Sequence, residues 1–201
     1  AAEALARIGT PAMPVVPQLL ELLATVDTAK DPRGMQPRYL SFALFDQDGG
    51  MLSRSLEGVD REALYKAVRS GLKNEDGRAR GSIGSVYDNL SADDIKPLLP
   101  SIYEAIVQPA PSGEMFADGV RLNGLKVLAS HHIREGMQAT ADYLRSQNPW
   151  ASEERTPEIL EVLDNYGAEA QNIVPHLKQT AAMFDKGEKD FPKELSEQKA
   201  K

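Results

Sequence analysis

Apolar residues recur along this chain at intervals of three and four, and short polar or Gly/Pro-rich interruptions divide the runs. That spacing puts an apolar stripe on one side of a helix. It predicts a short helix over Ala2–Ile8, stopped by Gly9-Thr10-Pro11. The next helix carries Val15, Val16, Leu19, Leu22, Leu23 and Val26 on its stripe. Past the loop Asp31–Gly34, a helix is predicted over Arg38–Phe45, closed by Asp46-Gln47-Asp48-Gly49-Gly50. Asp60 reads as the cap of a helix that turns Leu64, Ala67, Val68 and Leu72 inward. After the break Asn74–Gly77, helices are expected over Arg78–Leu90 and Ala92–Val107. The turn cluster Pro109–Gly113 separates these from helices over Phe116–Ser130 and Arg134–Gln147. Asn148-Pro149-Trp150 opens a linker. Thr156 is predicted to cap a helix with Pro157 first and a stripe of Ile159, Leu160, Val162, Leu163 and Tyr166. Its partner is expected over Ala168–Phe184, and no strand-like alternation competes.

One phrase comes back. Leu5, Ile8-Gly9, Ala12, Val16-Pro17 and Leu19 recur with constant offset as Leu163, Tyr166-Gly167, Ala170, Val174-Pro175 and Leu177. A weaker copy holds Leu90, Ile95, Leu99-Pro100 and Ile102. Inner helices are predicted to begin near residues 12, 60, 93, 134 and 168. Self-similarity at a period of about 40 is the signature of a helical repeat array. The expected fold is therefore all-α, a right-handed α-α superhelix of about five helical hairpins, with residues 1–201 in one repeat domain. Lys186–Lys201 is charge-rich, and Phe191-Pro192 reads as the start of another helix. The chain begins at Ala1, without Met and inside a helical pattern, so both ends are expected to be cuts in a longer array.

The Ile-Gly…Pro-x-Leu phrase, with Asp76-Gly77-Arg78-Ala79-Arg80 and Asp118-Gly119-Val120-Arg121 at outer-helix starts, resembles HEAT repeats of the armadillo-like superfamily. In such repeats Asp and Arg tie neighbouring units together, and the resemblance covers the whole chain. Tyr39–Leu44, Ser55–Asp60, Pro109–Gly113 and Glu153–Pro157 also resemble an uncharacterised bacterial family with C-terminal HEAT-like repeats, which brings no activity with it. The resemblance implies a protein-protein interaction scaffold whose concave inner-helix face holds a protein partner. The alternative it leaves is a HEAT-type lyase or hydrolase with a groove site near Trp150 and His131.

A formal net charge of −7, with no basic run, counts against nucleic acid, because that binding depends on Lys and Arg neutralising phosphates. HEAT-like DNA glycosylases therefore make a poor parallel. The absence of cysteine removes disulfides, thiolate zinc sites and a thiol nucleophile. It fits reducing and oxidising compartments alike. No apolar stretch approaches the roughly 20 residues of a membrane span, so no membrane insertion is expected.

Candidate chemistry is sparse, and no catalytic residue, metal ligand or cofactor is assigned. His131, His132 and Glu135 are the nearest thing to a metal cluster, but they sit at a turn between helices, where a structural or solvated role explains them. The HEAT-type deoxyhypusine hydroxylases bind iron through His-Glu pairs, and no His is followed by Glu here. Asp46–Gly50 matches part of a calcium loop, with Glu57 at the twelfth position. Met51 stands where that loop needs glycine. Gly81-Ser82-Ile83-Gly84 lacks the lysine of a phosphate loop and reads better as a site of close helix approach. Trp150 is expected to plug the joint between the fourth and fifth hairpins; exposed, it would be a binding anchor. Arg78, Arg80, Arg121 and Arg155 stand near outer-helix starts. Either they pair with Asp76, Asp118 and Glu154, or they form an anion-reading row.

Overall fold

The computed structural model describes residues 2–27, 29–46, 49–73, 80–108, 117–147 and 155–199. Among them every regular element is helical and none is a strand. By contact the chain divides into two compact units, Ala1–Val127 and Leu128–Lys201.

The first unit contains α1 (Ala2–Ile8), a 3-10 segment Thr10–Val15, α2 (Val16–Ala24), α3 (Met35–Phe45) and α4 (Arg61–Leu72). A short α5 (Arg80–Ile83) follows, then a 3-10 segment Gly84–Asn89 and α6 (Ala92–Val107). The helix α7 (Ala117–Ser130) carries the division between units. Packing links α2 to α3 and α4, α4 to α5 and α6, and α3 to α1 and α5. Leu20, Leu23, Leu44, Phe45, Leu64, Ile95 and Leu98 are buried at these contacts. Close approach of α6 and α7 requires Gly124, where an added Cβ would lie 2.7 Å from Ile106 Cγ1. Gly84 likewise sits against Asn123, whose Cβ would be 3.1 Å from an added methyl group. That crowding supports reading Gly84 as a site of close approach.

In the second unit, α8 (Arg134–Arg145) packs on α9 (Thr156–Asp164), on a 3-10 segment Gly167–Ile173 and on α10 (Val174–Lys199). Ile159, Val162, Leu163 and Tyr166 are buried. The turn that starts this unit is a Schellman motif. Ile133 N–H donates to Leu128 O at 2.8 Å and His132 N–H to Ala129 O at 2.9 Å. His132 occupies the position that usually falls to glycine, with φ of 53°.

The recurring phrase folds alike at both ends. Gly9 (φ 70°) and Gly167 (φ 54°) adopt backbone angles that a side chain disfavours. Each begins or immediately precedes a 3-10 segment that passes into an α-helix at a valine, with proline next. Val16 (φ −53°, ψ −45°) and Val174 (φ −52°, ψ −42°) hold nearly the same conformation. Proline suits that place because the first-turn N–H it lacks has no helical acceptor. The weaker copy folds differently: Ser91 and Asp94 form a capping box, and Pro97 and Pro100 lie inside α6.

Several expected boundaries shift. Where one helix is predicted up to Leu90, α5 ends at Ile83 and a 3-10 segment takes over, since Gly84, Asp88 and Asn89 are weak helix formers. Arg155, not Thr156, is the N-cap of α9, and Pro157 takes the second helical position, where a missing N–H is equally harmless. The α-helix expected from Ala168 is 3-10 up to Ile173. At the other end α10 runs on to Lys199, so no new helix begins at Phe191-Pro192. Lys193, Glu194 and Leu195, good helix formers, follow that proline. Leu22 and Leu160 leave their predicted stripes, at 46% and 47% exposed. Each lies about 100° round the helix from a buried neighbour, enough to carry it to the solvent side.

Candidate functional site

The residues singled out from sequence are divided between the two units or lie outside the described residues. Trp150 lies outside the described residues, as do Arg78, Asp76, Glu154 and Asp48. Arg121 falls in the first unit, where Nη2 donates to Gln108 O at 3.4 Å. His131 and Arg155 belong to the second. Arg155 Nη1 meets Glu158 Oε1 at 3.3 Å, next to its own helix start, and no described contact joins it to His131. The neighbouring His132 turns its ring edge-on to Tyr166, with centroids 6.3 Å apart. Among the described residues no group of three or more His, Asp or Glu is placed to hold a metal ion.

What the fold does assemble lies on α4. Asp60 starts this helix by accepting from Ala63 N–H at 2.7 Å, as its cap position predicts. Helical spacing then divides the polar residues into two rows. Arg61, Tyr65 and Arg69, four apart, reach towards α6. Lys66, Ser70 and Lys73, with Arg69 shared, line a groove against α2.

The first row closes on Asp94, a carboxylate only 7% exposed. Oδ1 accepts from Tyr65 Oη at 2.6 Å and from Arg61 Nε at 3.0 Å. Oδ2 accepts from Ser91 Oγ at 2.8 Å and Ser91 N–H at 3.0 Å. Arg61 also donates to Leu56 O at 2.8 Å. Burial opposes the charge on Asp94, but the bonds from Tyr65 and Ser91 and the Arg61 charge outweigh it and hold the carboxyl down at about 2. Tyr65 is pushed up to about 12, by burial first and then by the carboxylate it bonds. Every acceptor oxygen of Asp94 is taken up by α4 or by the Ser91 cap. The cluster is therefore a clasp between α4 and α6, with neither carboxylate oxygen left for a substrate.

The second row is open. Glu21, Ala24 and Thr25 of α2 and its C-terminal edge face Lys66, Arg69, Ser70 and Lys73 across a cavity of about 500 Å³. Arg69 is held in place by its bond to Pro97 O at 2.7 Å. Neither Lys66 nor Lys73 is ion-paired among the described residues. A smaller cavity of about 290 Å³, lined by Met13, Pro14, Val16, Leu20, Val59 and Ala63, is mostly apolar.

Sequence reasoning missed both Lys73 and the clasp. A signal for the clasp was present. Ser91-Ala92-Asp93-Asp94 is a capping-box pattern, and Arg61, Tyr65 and Arg69 repeat at intervals of four. Nothing in the spacing says that the two would meet. Comparison with known proteins adds no relative: no family model, curated protein or solved structure matches this chain.

Proposed function

We propose that this chain is a non-enzymatic, protein-binding scaffold: a HEAT-like right-handed array of about five hairpins that holds a protein partner along its inner helices. The observation that carries the reading is the order of packing in the first unit. There α4 packs between α2 and α6, and α3 packs between α1 and α5. Each helix leans on elements two places away in the chain, as in a two-layer array whose units touch only their neighbours. The shared conformation of the two phrase copies, at Gly9–Pro17 and Gly167–Pro175, supports a repeated unit.

Such an array leaves one side of each inner helix uncovered. Gln18 and Glu21 on α2, Lys66 on α4, and Tyr103 and Glu104 on α6 are exposed. A partner engaging them would collect many modest contacts over a long face. Among the described residues no helix is long and apolar enough to cross a membrane.

The test is affinity capture with three baits: the wild-type chain, a Gln18→Arg/Glu104→Arg variant on the inner helices, and a Tyr39→Ala variant on α3. The expected result is one protein retained by the wild type and by Tyr39→Ala, and lost from the inner-helix variant. Retention by all three baits, or co-purification of only a small molecule or a stoichiometric metal, would overturn the proposal.

A further inference from the structure

We infer that the groove between α2 and α4 takes an acidic segment of a protein partner, with its carboxylates on Lys66, Arg69 and Lys73. The partner's being a protein rests on the scaffold reading; the anionic chemistry rests on the groove itself. Three cations and one carboxylate, Glu21, line the cavity, in a chain whose formal net charge is −7. A local positive site on an acidic molecule needs its own cause.

The dipole of α4 favours cations at its C-terminal end, where Arg69 stands in the last turn and Lys73 at the C-cap. It gives no reason for Lys66 a turn earlier, nor for all three facing one groove. Such surface lysines commonly find an acid three or four residues away, as Lys96 does with Asp93 at 2.8 Å. Lys66 and Lys73 have no such partner among the described residues, although Glu62 is four residues before Lys66. Among the described residues their charges meet no acid.

Dimension and field narrow the ligand. Lys66 on α4 and Lys73 at its C-cap are seven residues apart, a rise of about 10 Å. An extended peptide places same-side residues about 7 Å apart, so acids at alternate positions meet two or three of the cations. Arg69, tethered to Pro97 O at 2.7 Å, offers its guanidinium without first losing side-chain freedom. A long polyanion such as duplex DNA would instead run past the groove into the field of an acidic molecule. A short acidic segment feels mainly charges within about 10 Å at moderate salt.

Fluorescence anisotropy with a labelled peptide carrying glutamate at alternate positions tests this, with labelled duplex DNA as the second probe. The proteins are wild type, Lys66→Glu/Lys73→Glu and the milder Lys66→Gln/Lys73→Gln; circular dichroism melts establish that all three are folded. Wild type should bind the peptide more tightly than the DNA and lose affinity as salt rises. The reversed variant should bind at least about tenfold more weakly, with the neutral variant between. No peptide binding by wild type, equal binding by the reversed variant, or tighter binding of DNA would each overturn the inference. The peptide is then added to the capture assay. If a partner held by the inner helices is neither displaced by the peptide nor lost from the reversed variant, the groove inference falls and the scaffold stands. If the peptide binds through Lys66 and Lys73 but no protein is captured, the groove chemistry stands and the scaffold falls.

Discussion

The clasp between α4 and α6 and the joint between α8 and the segment after α9 do the same structural work with opposite chemistry. In the first unit Asp94 is buried as an anion and surrounded by donors from Arg61, Tyr65 and Ser91. In the second, Tyr166 is buried and donates its hydroxyl to a neutral acceptor, Ile133 O, at 3.0 Å. That same carbonyl also receives Gly136 N–H at 3.0 Å. The tyrosine's pKa is driven upward by burial and then by the charges of Glu135 and Glu169, so it stays neutral throughout the ordinary pH range. A charged clasp is directional and strong only while every partner is present and the pH allows the charge. A neutral hydroxyl bond in a tight apolar site depends on shape instead.

The largest expected effect breaks the ionic side. Asp94→Ala leaves Tyr65 and Arg61 facing a buried gap and removes half of the α6 capping box, which should cost about 3 kcal/mol. Urea unfolding measures the loss, and amide exchange should place it in α4 and α6. A cost near zero would mean that water replaces the carboxylate freely.

The pH response sharpens the contrast. The folded-state pKa of Asp94, about 2, lies below the 3.8 of an unperturbed aspartate. Its contribution is therefore complete above about pH 4 and drains away as pH falls towards 2, by about 2 kcal/mol. Asp94→Asn should flatten that acid limb. Tyr65 works in the opposite direction. With a folded pKa raised to about 12, it stabilises fully below about pH 10 and loses this as pH climbs through 12. Tyr65→Phe should flatten the alkaline limb, while Tyr166→Phe should leave the acid limb unaltered.

Shape is tested at Gly136. An added Cβ would collide with the Tyr166 hydroxyl and lie 2.7 Å from Leu128 Cβ. Gly136→Ala should therefore destabilise by about 1–3 kcal/mol despite the better helix propensity of alanine. A stabilised variant in a thermal melt would show that this joint is loose. The smallest effect is expected at His132→Gly. Relief of the left-handed backbone should stabilise by about 0.5–1 kcal/mol. Destabilisation instead would mean that the edge-on contact with Tyr166 and the approach of His132 Nδ1 to Glu169 Oε1, at 3.9 Å, outweigh backbone strain.

Much of the helical layout was legible in the chain because its causes are local. Asp60 caps α4 through a bond to the N–H three residues on, a contact that spacing alone specifies. The stripe of Leu64, Ala67, Val68 and Leu72 is buried as its period requires. The repeated Gly…Val-Pro phrase folds alike in two places because the left-handed glycine and the first-turn proline act on their own backbone. Where local preferences were weak or balanced, the reading slipped. Gly84–Asn89 is 3-10, and Pro192 fails to break α10.

The amino-acid sequence by itself determined which segments are helical, that Asp60 caps α4, and which faces are mostly apolar, since these follow from interactions within a few residues. Tertiary structure alone decided that Arg61 and Tyr65 meet Asp94, more than twenty-five positions away. It alone brought Glu21 opposite Lys66 and Lys73 across one groove. Such meetings depend on how two helices lie against each other, which is settled by packing summed over many side chains and is not encoded at any single position.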